Sequence, residues 1–567
     1  MLIDLLRRAF RRAFHREYSV DAEPGRAAAE FMRALETMAA GDPRRIQTML
    51  LLAGALDLAG DPQAAEIWYR RVIEIDPENR QALGLLSFML YNQNQTDAAR
   101  ETLQRRILLK ADPASRIRRM LMGVPGLNDS IEQIDRVRGR LETELDELLS
   151  EPLSTIAHPE TDIAMTLFFL AYHGRNDRVL MEKFARLIRA VYPSAAQSAS
   201  MHEPGGGKLR IGFVSTYFYL HSIARTTIGL IRGLPRAQFE VHVFSIMPAD
   251  DSMAAAMRGA GDHYHRLPDN LDRVREAIGA VRPDILFFAD MGMHPLTYFL
   301  AFWRLAPLQL TTWGHPMTTG IDTMDYFVSA EGIEMPEAQS HYSETLLCLP
   351  AYFQPAYERP ELDGPLKPRT QLGLPESGRL YMCTQNLFKL HPDFNDALRQ
   401  ILERDPGGTL VLLSSPNPGW MQQLRARFAR SLGPLASRVH FAPRTKMSDF
   451  LHLVAHAEVV LDPFHFGGNN STCEALALGI PVVTLPAQFV RGRFTLGQYR
   501  ELGIDACIAG TPQEYVDIAV RLAREPAFRA AVSERIIAES ERLFDRPDAA
   551  HALGAALIGL IESRRPA

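Results

Sequence analysis

The segment Leu461 to Pro486, LDPFHFGGNNSTCEALALGIPVVTLP, constrains the fold more than any other. An apolar run ends at Leu461 and is followed by Gly467 and Gly468. Asn469, Asn470, Ser471 and Thr472 come next, then a helical stretch through Glu474 to Leu478 and a β-rich run, Pro481 to Leu485. The order predicts a buried strand, a tight glycine turn, a helix with a polar cap and a second strand. A helix start behind glycines presents free N–H groups and the positive end of a dipole, which suits phosphate. The segment therefore points to a nucleotide-linked ligand.

The same alternation extends over most of the chain after Gly205-Gly206-Gly207. Leu209–Ser215, Phe239–Ser245, Pro283–Asp290 and Leu308–Trp313 read as four strands of one parallel sheet covered on both faces. Leu380–Thr384, Thr409–Leu413, Val439–Phe441, Val459–Leu461 and Pro481–Leu485 read as a second sheet. A proline- and charge-rich stretch from Tyr352 to Leu374 links them. Two doubly wound domains in tandem place a cleft at the carboxyl ends of both sets of strands.

Before Gly205 the periodicity is helical. Asp42-Pro43 and Asp76-Pro77 lie 34 residues apart, the period of a tetratricopeptide repeat. In the unit from Ile46 to Asn79 the small residues Ala53 and Ala65 let two helices approach closely. The next unit, Arg80 to Pro113, is worn: Asn94 replaces the glycine, and Asp112-Pro113 falls two residues late. The expected layout is an amphipathic N-terminal helix and linker over 1–30 and repeats over 31–113. A helical extension over 114–204 follows, then Rossmann-like domains over 205–365 and 366–567, the latter with the C-terminal helices. The fold class is α plus α/β. The repeats read either as a groove for a protein or peptide, or as a spacer.

Composition narrows the function. The net charge of −5 in 567 residues gives no case for nucleic-acid binding. Four cysteines, scattered without CxxC spacing, argue against a disulfide framework or a cysteine zinc cluster and fit a reducing, cytoplasmic setting. No apolar run is long enough to span a membrane. Residues 1–17 carry Leu2, Leu6, Phe10 and Phe14 at helical spacing beside four arginines. They read as a weak membrane-surface contact or, in the preferred reading, as a cap on the helical array.

Candidate site residues cluster at strand ends. His221 follows the first strand and is read as a base, or as a hydrogen-bonding group in the structure. Asp290 ends the third strand; His315, Pro316 and Thr319 follow the fourth. Gln385, Asn386 and Lys389 follow the first strand of the second sheet, where a cation meets a departing diphosphate. Arg493 follows the last strand. There is no Walker loop, no metalloprotease helix, no nucleophile elbow and no Asp-x-Asp at a strand end. Phosphate charge would then fall to lysine, arginine and helix starts, with no metal.

Several motifs stand in one order: Gly212-Phe-Val-Ser215 leading to His221; Arg304-Leu-Ala-Pro-Leu-Gln309; Trp313-Gly-His-Pro316; Asp325-Tyr326; His341-Tyr-Ser-Glu344; Gln385-Asn-Leu-Phe-Lys389; and the opening segment. In this the chain resembles the bacterial branch of the O-linked N-acetylglucosamine transferase and Spindly family. That family joins tetratricopeptide repeats to a GT-B glycosyltransferase of family 41 type. The resemblance implies inverting, metal-independent transfer of a sugar from a nucleotide donor, UDP-N-acetylglucosamine by default, to Ser or Thr hydroxyls of a protein such as flagellin. It puts His221 on the family's active-site histidine and Lys389 on the lysine that meets the donor diphosphate. Gln385, Asn386, Gly467, Gly468, Asn469, Asn470, Ser471, Thr472, Glu474 and Arg493 become the donor-binding set. Asp290, His315, Pro316 and Thr319 become the acceptor side of the cleft. Asn469-Asn470-Ser471 replace the His-Thr-Thr of well-studied members, and Glu474 replaces an aspartate, so nucleotide and sugar stay open. A glycan or lipid-linked acceptor, and a non-catalytic repeat scaffold, are the alternative readings.

Overall fold

The computed structural model describes residues 24–196, 207–350 and 358–564. The expected helix over 1–17, with its membrane contact, lies outside them. The chain divides into two compact units.

The first unit comprises the residues up to Leu127, Val137–Met165 and Ser415–Gln423. It is built from helical hairpins: Arg45–Leu58 with Pro62–Ile75, and Arg80–Asn92 with Thr96–Leu109. Pro24–Thr37 packs ahead of them as the second half of an earlier repeat. Ala53 and Ala65 are fully buried where the first hairpin closes. Side-chain caps begin Pro62–Ile75, Arg80–Asn92 and the next helix, Pro113–Leu121, with Asp61, Asn79 and Asp112 each accepting a backbone N–H of the first turn. The worn repeat keeps its shape because Asn94 takes a left-handed backbone (φ 62°), as Gly60 does one period earlier (φ 86°). Its amide accepts from the N–H groups of Gly126 and Leu127 and donates to Leu127 O.

The second unit comprises Asn128–Arg136, Thr166–Ser414 and Leu424–Ala567. Its first sheet has seven parallel strands: β1 Leu209–Ser215, β2 Phe239–Ile246, β3 His263–Leu267, β4 Ile285–Phe288, β5 Leu308–Thr312, β6 Tyr326–Ala330 and β7 Thr345–Leu349, in the order β3-β2-β1-β4-β5-β6-β7. Its second sheet has five: β8 Arg379–Cys383, β9 Gly408–Leu413, β10 Val439–Ala442, β11 Val459–Leu461 and β12 Val482–Val483, in the order β10-β9-β8-β11-β12. Helical arrays in front of two doubly wound parallel sheets are the expected fold class. All nine expected strands are present. Three more, β3, β6 and β7, were not expected: β3 and β7 are only partly buried, and β6 is buried but short, with Ser329 breaking its apolar run.

The structure moves two boundaries. Of the expected helical extension over 114–204, Asn128–Arg136 and the residues from Thr166 onward group with the second unit. From there the chain packs on the first lobe: Phe184 stacks on Tyr298 and the Trp303 indole donates to the Tyr192 hydroxyl. The last helix, Pro547–Glu562, was expected in the second lobe. It crosses back, and Ala550, Leu553 and Leu557 join the core formed by Ile211, Phe213 and Phe239. Its apolar stripe finds more buried area against the helix Ser222–Gly233 than its place in the chain suggests. Among the described residues no helix is long and apolar enough to cross a membrane.

Candidate active site

The two sheets direct their carboxyl ends at one cleft within the second unit, and the site is assembled from both lobes. On the second lobe Lys389 follows β8. Its Nζ donates to Gln385 Oε1 (2.8 Å) and to Gly467 O (3.1 Å), and lies 4.5 Å from the centre of the Phe466 ring. Gln385 Nε2 donates to Ser471 Oγ. The cation is thus tied to the glycine loop, and the loop to the first turn of the helix Asn470–Ala477. Tyr172, Phe388 and Phe466 pack around it, with Tyr172 4.8 Å from Phe388 and 4.6 Å from Phe466. Burial lowers the Lys389 pKa to about 8, against the attraction of Asp462.

Gly467 and Gly468 have a different role from the expected tight turn. Neither has a positive φ; the left-handed residue of this loop is His465, at φ 70°. The glycines serve close approach. A Cβ on Gly467 would lie 2.7 Å from Asp462 Oδ2, and one on Gly468 would lie 2.6 Å from Gln385 Nε2. Asp462, a residue the sequence reading passed over, organises the loop. It is fully enclosed, accepting from Gly468 N (2.7 Å) and from Thr484 Oγ1 (2.9 Å).

The polar quartet also departs from expectation. Asn469 occupies the N-cap position but its side chain caps nothing; its Oδ1 and its carbonyl accept from Gln498 Nε2. Thr472 lies buried, its hydroxyl 3.2 Å from that of Thr495. Asn470 Nδ2 reaches Ser222 O of the first lobe (3.4 Å). Glu474 accepts from Arg225 of the first lobe at 2.6 Å, a buried ion pair. Asn386 is exposed at the cleft side of β8. Arg493, expected at the donor, is directed elsewhere: its guanidinium donates to Ile333 O (2.6 Å) and Ala487 O (2.8 Å). It fastens the lobes together, as Arg500 does through Gly332 O.

On the first lobe His221 caps the helix Ser222–Gly233. Its Nδ1 accepts the Ile223 N–H (3.2 Å), and its ring packs 4.5 Å from that of Tyr217. A backbone N–H can only donate, so the neutral ring carries its proton on Nε2. Burial lowers the pKa to about 4, so this is the form present at neutral pH. His294 repeats the arrangement after β4: its Nδ1 accepts the Leu296 N–H (3.1 Å), and burial again lowers the pKa to about 4. Tyr217 stands between the two histidines. His294 went unnoticed in the sequence, although its place a few residues after a strand, at the start of a helix, is the signal His221 also carries.

Asp290 is enclosed. It accepts from Thr216 N (3.1 Å) and Thr216 Oγ1 (2.7 Å), fixing the exit from β1, and burial raises its pKa to about 6. His315 stacks on Phe168 at 4.6 Å. Burial first, then the charge of Arg491, lowers its pKa to about 3. Pro316 lines a small pocket with Asp177, His341 and Arg491. Thr319 is engaged in a turn, its N–H and hydroxyl both bonding Glu344. The structure therefore brings together Lys389, Gln385, Gly467, Gly468 and Ser471, with the charge of Lys389 felt at His315, and sets His221 beside Ser222, whose carbonyl Asn470 reaches. It gives Thr319 and Arg493 to the scaffold.

Residues 355–551 match the glycosyl transferase family 41 profile, and residues 58–121 match a tetratricopeptide repeat profile. The chain carries a family 41 glycosyltransferase domain behind tetratricopeptide repeats, on a GT-B fold. It is 26% identical over 396 residues to a probable UDP-N-acetylglucosamine–peptide N-acetylglucosaminyltransferase, SEC, of Arabidopsis thaliana, covering 68% of this chain and 40% of that protein. It is 29% identical over 287 residues to a UDP-glucose:protein N-β-glucosyltransferase of Actinobacillus pleuropneumoniae, covering 49% and 44%. The match thus spans less than half the length of these relatives. A solved structure of a Thermobaculum terrenum O-GlcNAc transferase variant has the same fold, with a TM-score of 0.71 at 23% identity over 93% of this chain and 99% of that one.

Proposed function

We propose that this chain transfers N-acetylglucosamine from UDP-N-acetylglucosamine to serine and threonine hydroxyls of a protein, flagellin among the candidates, with inversion and without a metal. The observation that carries the reading is Lys389, a cation with a lowered pKa held between Gln385 and the Gly467 carbonyl, beside the start of a helix. The cytoplasm, where nucleotide sugars are made, is the setting.

In the reaction the acceptor oxygen bonds the anomeric carbon from the face opposite the nucleotide. The bond from that carbon to the diphosphate breaks, and both electrons leave with UDP. Lys389 and the first turn of Asn470–Ala477 stabilise the charge that develops on the departing oxygen. His221 orients the acceptor oxygen through its Nε2–H, and the hydroxyl proton passes to water at the cleft mouth. The repeats present the acceptor.

The test is transfer by the purified chain from UDP-N-acetylglucosamine, UDP-glucose and GDP-fucose to candidate proteins, by wild type and Lys389→Ala, with and without EDTA. The expected result is protein labelling from UDP-N-acetylglucosamine, insensitive to EDTA, and a loss of about 10²- to 10³-fold in the variant. Full turnover by the variant, label found only in lipid or glycan, or dependence on added metal would overturn the reading.

A further inference from the structure

A second cluster of titratable groups lies on the first sheet, away from the cleft. In β2 and β3 the register pairs His242 with His263 and Phe244 with His265, and Glu240 lies two residues before His242 on the same face. Glu240 and His263 are at the amino-terminal ends of their strands, whereas the cleft is at the carboxyl-terminal ends. Glu240 Oε1 is 2.8 Å from His263 Nε2 and 3.6 Å from His242 Nε2. One ligating atom from each of the three residues lies within 4.8 Å of the others.

His242 is the informative member. It is 6% exposed, and its Nε2, facing the carboxylate, has no hydrogen-bond partner. Its Nδ1 lies 3.1 Å from His265 Nε2. With the Nδ1 proton donated to His265, the Nε2 lone pair faces Glu240 with nothing of opposite sign between them. With the proton on Nε2, 3.6 Å is too long for a hydrogen bond to the carboxylate. Neither tautomer satisfies both ring nitrogens. A cation between the three atoms does.

We infer that Glu240, His242 Nε2 and His263 Nε2 form a binding site for one divalent cation of the zinc type, which ties the edge strand β3 to β2. Two imidazoles and a carboxylate are a zinc donor set, and tetrahedral bonding sets such ligands about 3.3 Å apart, between the two separations observed. His265 holds the His242 ring and its tautomer from behind, as metal-bound histidines are commonly held. Arg210, which pairs in register with Glu240, donates to Val281 O and lies 3.8 Å from Asp284. Glu240 and His263 are partly open to solvent, so water completes the shell.

The test uses the full chain, free of any histidine tag and stripped with EDTA, titrated with Co²⁺ as a visible reporter and then with Zn²⁺. One equivalent of Co²⁺ is expected to give the d–d absorption of a four- or five-coordinate ion. Zn²⁺ should displace it and raise Tm by several degrees through linkage. Glu240→Gln and His263→Asn should each weaken binding at least about tenfold, and His265→Gln about as much through its support of His242. Both substituted ligands are partly exposed, so a Tm in EDTA equal to wild type establishes that the variants fold. The inference is overturned by the absence of Co²⁺ absorption in wild type, or by absorption and affinity unchanged in the Glu240→Gln/His263→Asn double variant. Neither outcome touches the donor site, whose UDP-sugar response is read separately.

Discussion

At the scale of single residues, protonation states decide the chemistry of the cleft. Lys389 has its pKa lowered to about 8 by burial, below the ordinary lysine value, so the fold disfavours its charged form. The unfolded chain then binds more protons than the folded chain from about pH 8 to the usual lysine range. Stability from this group is lowest below pH 8 and rises as the pH passes through that window. Urea melts of ligand-free wild type and Lys389→Met from pH 7.5 to 10 should differ in slope with that sign; parallel curves would remove the lysine from a buried setting. Turnover that needs the cation should fall above about pH 8 at low donor concentration. His221 makes the opposite case. Its pKa of about 4 and its Nδ1 bond to Ile223 leave Nε2 a donor throughout the neutral range. The pH profile of kcat/KM should therefore show no acid limb near the ordinary histidine value, and a limb near 6.5 that vanishes in His221→Asn would return it to the role of base.

At the scale of elements, two positions show how local backbone and close contact set the structure. Asn94 closes the worn repeat with a left-handed backbone and three hydrogen bonds to Gly126 and Leu127. Asn94→Ala should destabilise the chain by about 1–3 kcal/mol, read from denaturant melts, because a left-handed alanine and unpaired amide groups are both costly. Asn94→Gly should recover the backbone part only. Gly468 illustrates the other constraint. Its added Cβ would press on Gln385, Thr472 and Ser471, the groups that hold Lys389 and the helix start. Gly468→Ala should therefore raise the KM for donor with little change in Tm; an unchanged KM would place the donor elsewhere.

At the scale of the whole molecule, the lobes of the second unit are joined by specific polar and apolar ties. Arg225 and Glu474 form a buried pair between the helix that follows His221 and the helix that follows the glycine loop. Arg225→Leu leaves a buried carboxylate and should cost about 3–5 kcal/mol, whereas adding Glu474→Leu should recover much of it. An additive double variant would show the pair uncoupled. The return of Pro547–Glu562 to the first lobe is a second tie, buried through Ala550 and Gly233.

Much of this architecture was legible in sequence because it is local. The 34-residue period, the apolar strands and the glycine loop each report their own element, and nine of the strands were named from them. The positions of His221, Lys389 and Gln385 were legible because they follow strand ends. The edge strand β3 was not, since its alternating histidines carry no apolar run. Nor were the places of Arg493 and Thr319, because a side chain's partner across the sheets leaves no mark in the chain around it. Phe168 and Tyr172, more than 200 residues before Lys389, close its aromatic surroundings for the same reason. By itself the sequence determined which elements form and which end of each strand bears polar groups, because propensity, capping and periodicity act over a few residues. Only the tertiary structure decided which of those groups stay open at the cleft and which are spent as fasteners, because burial and hydrogen-bond satisfaction belong to residues that meet in space.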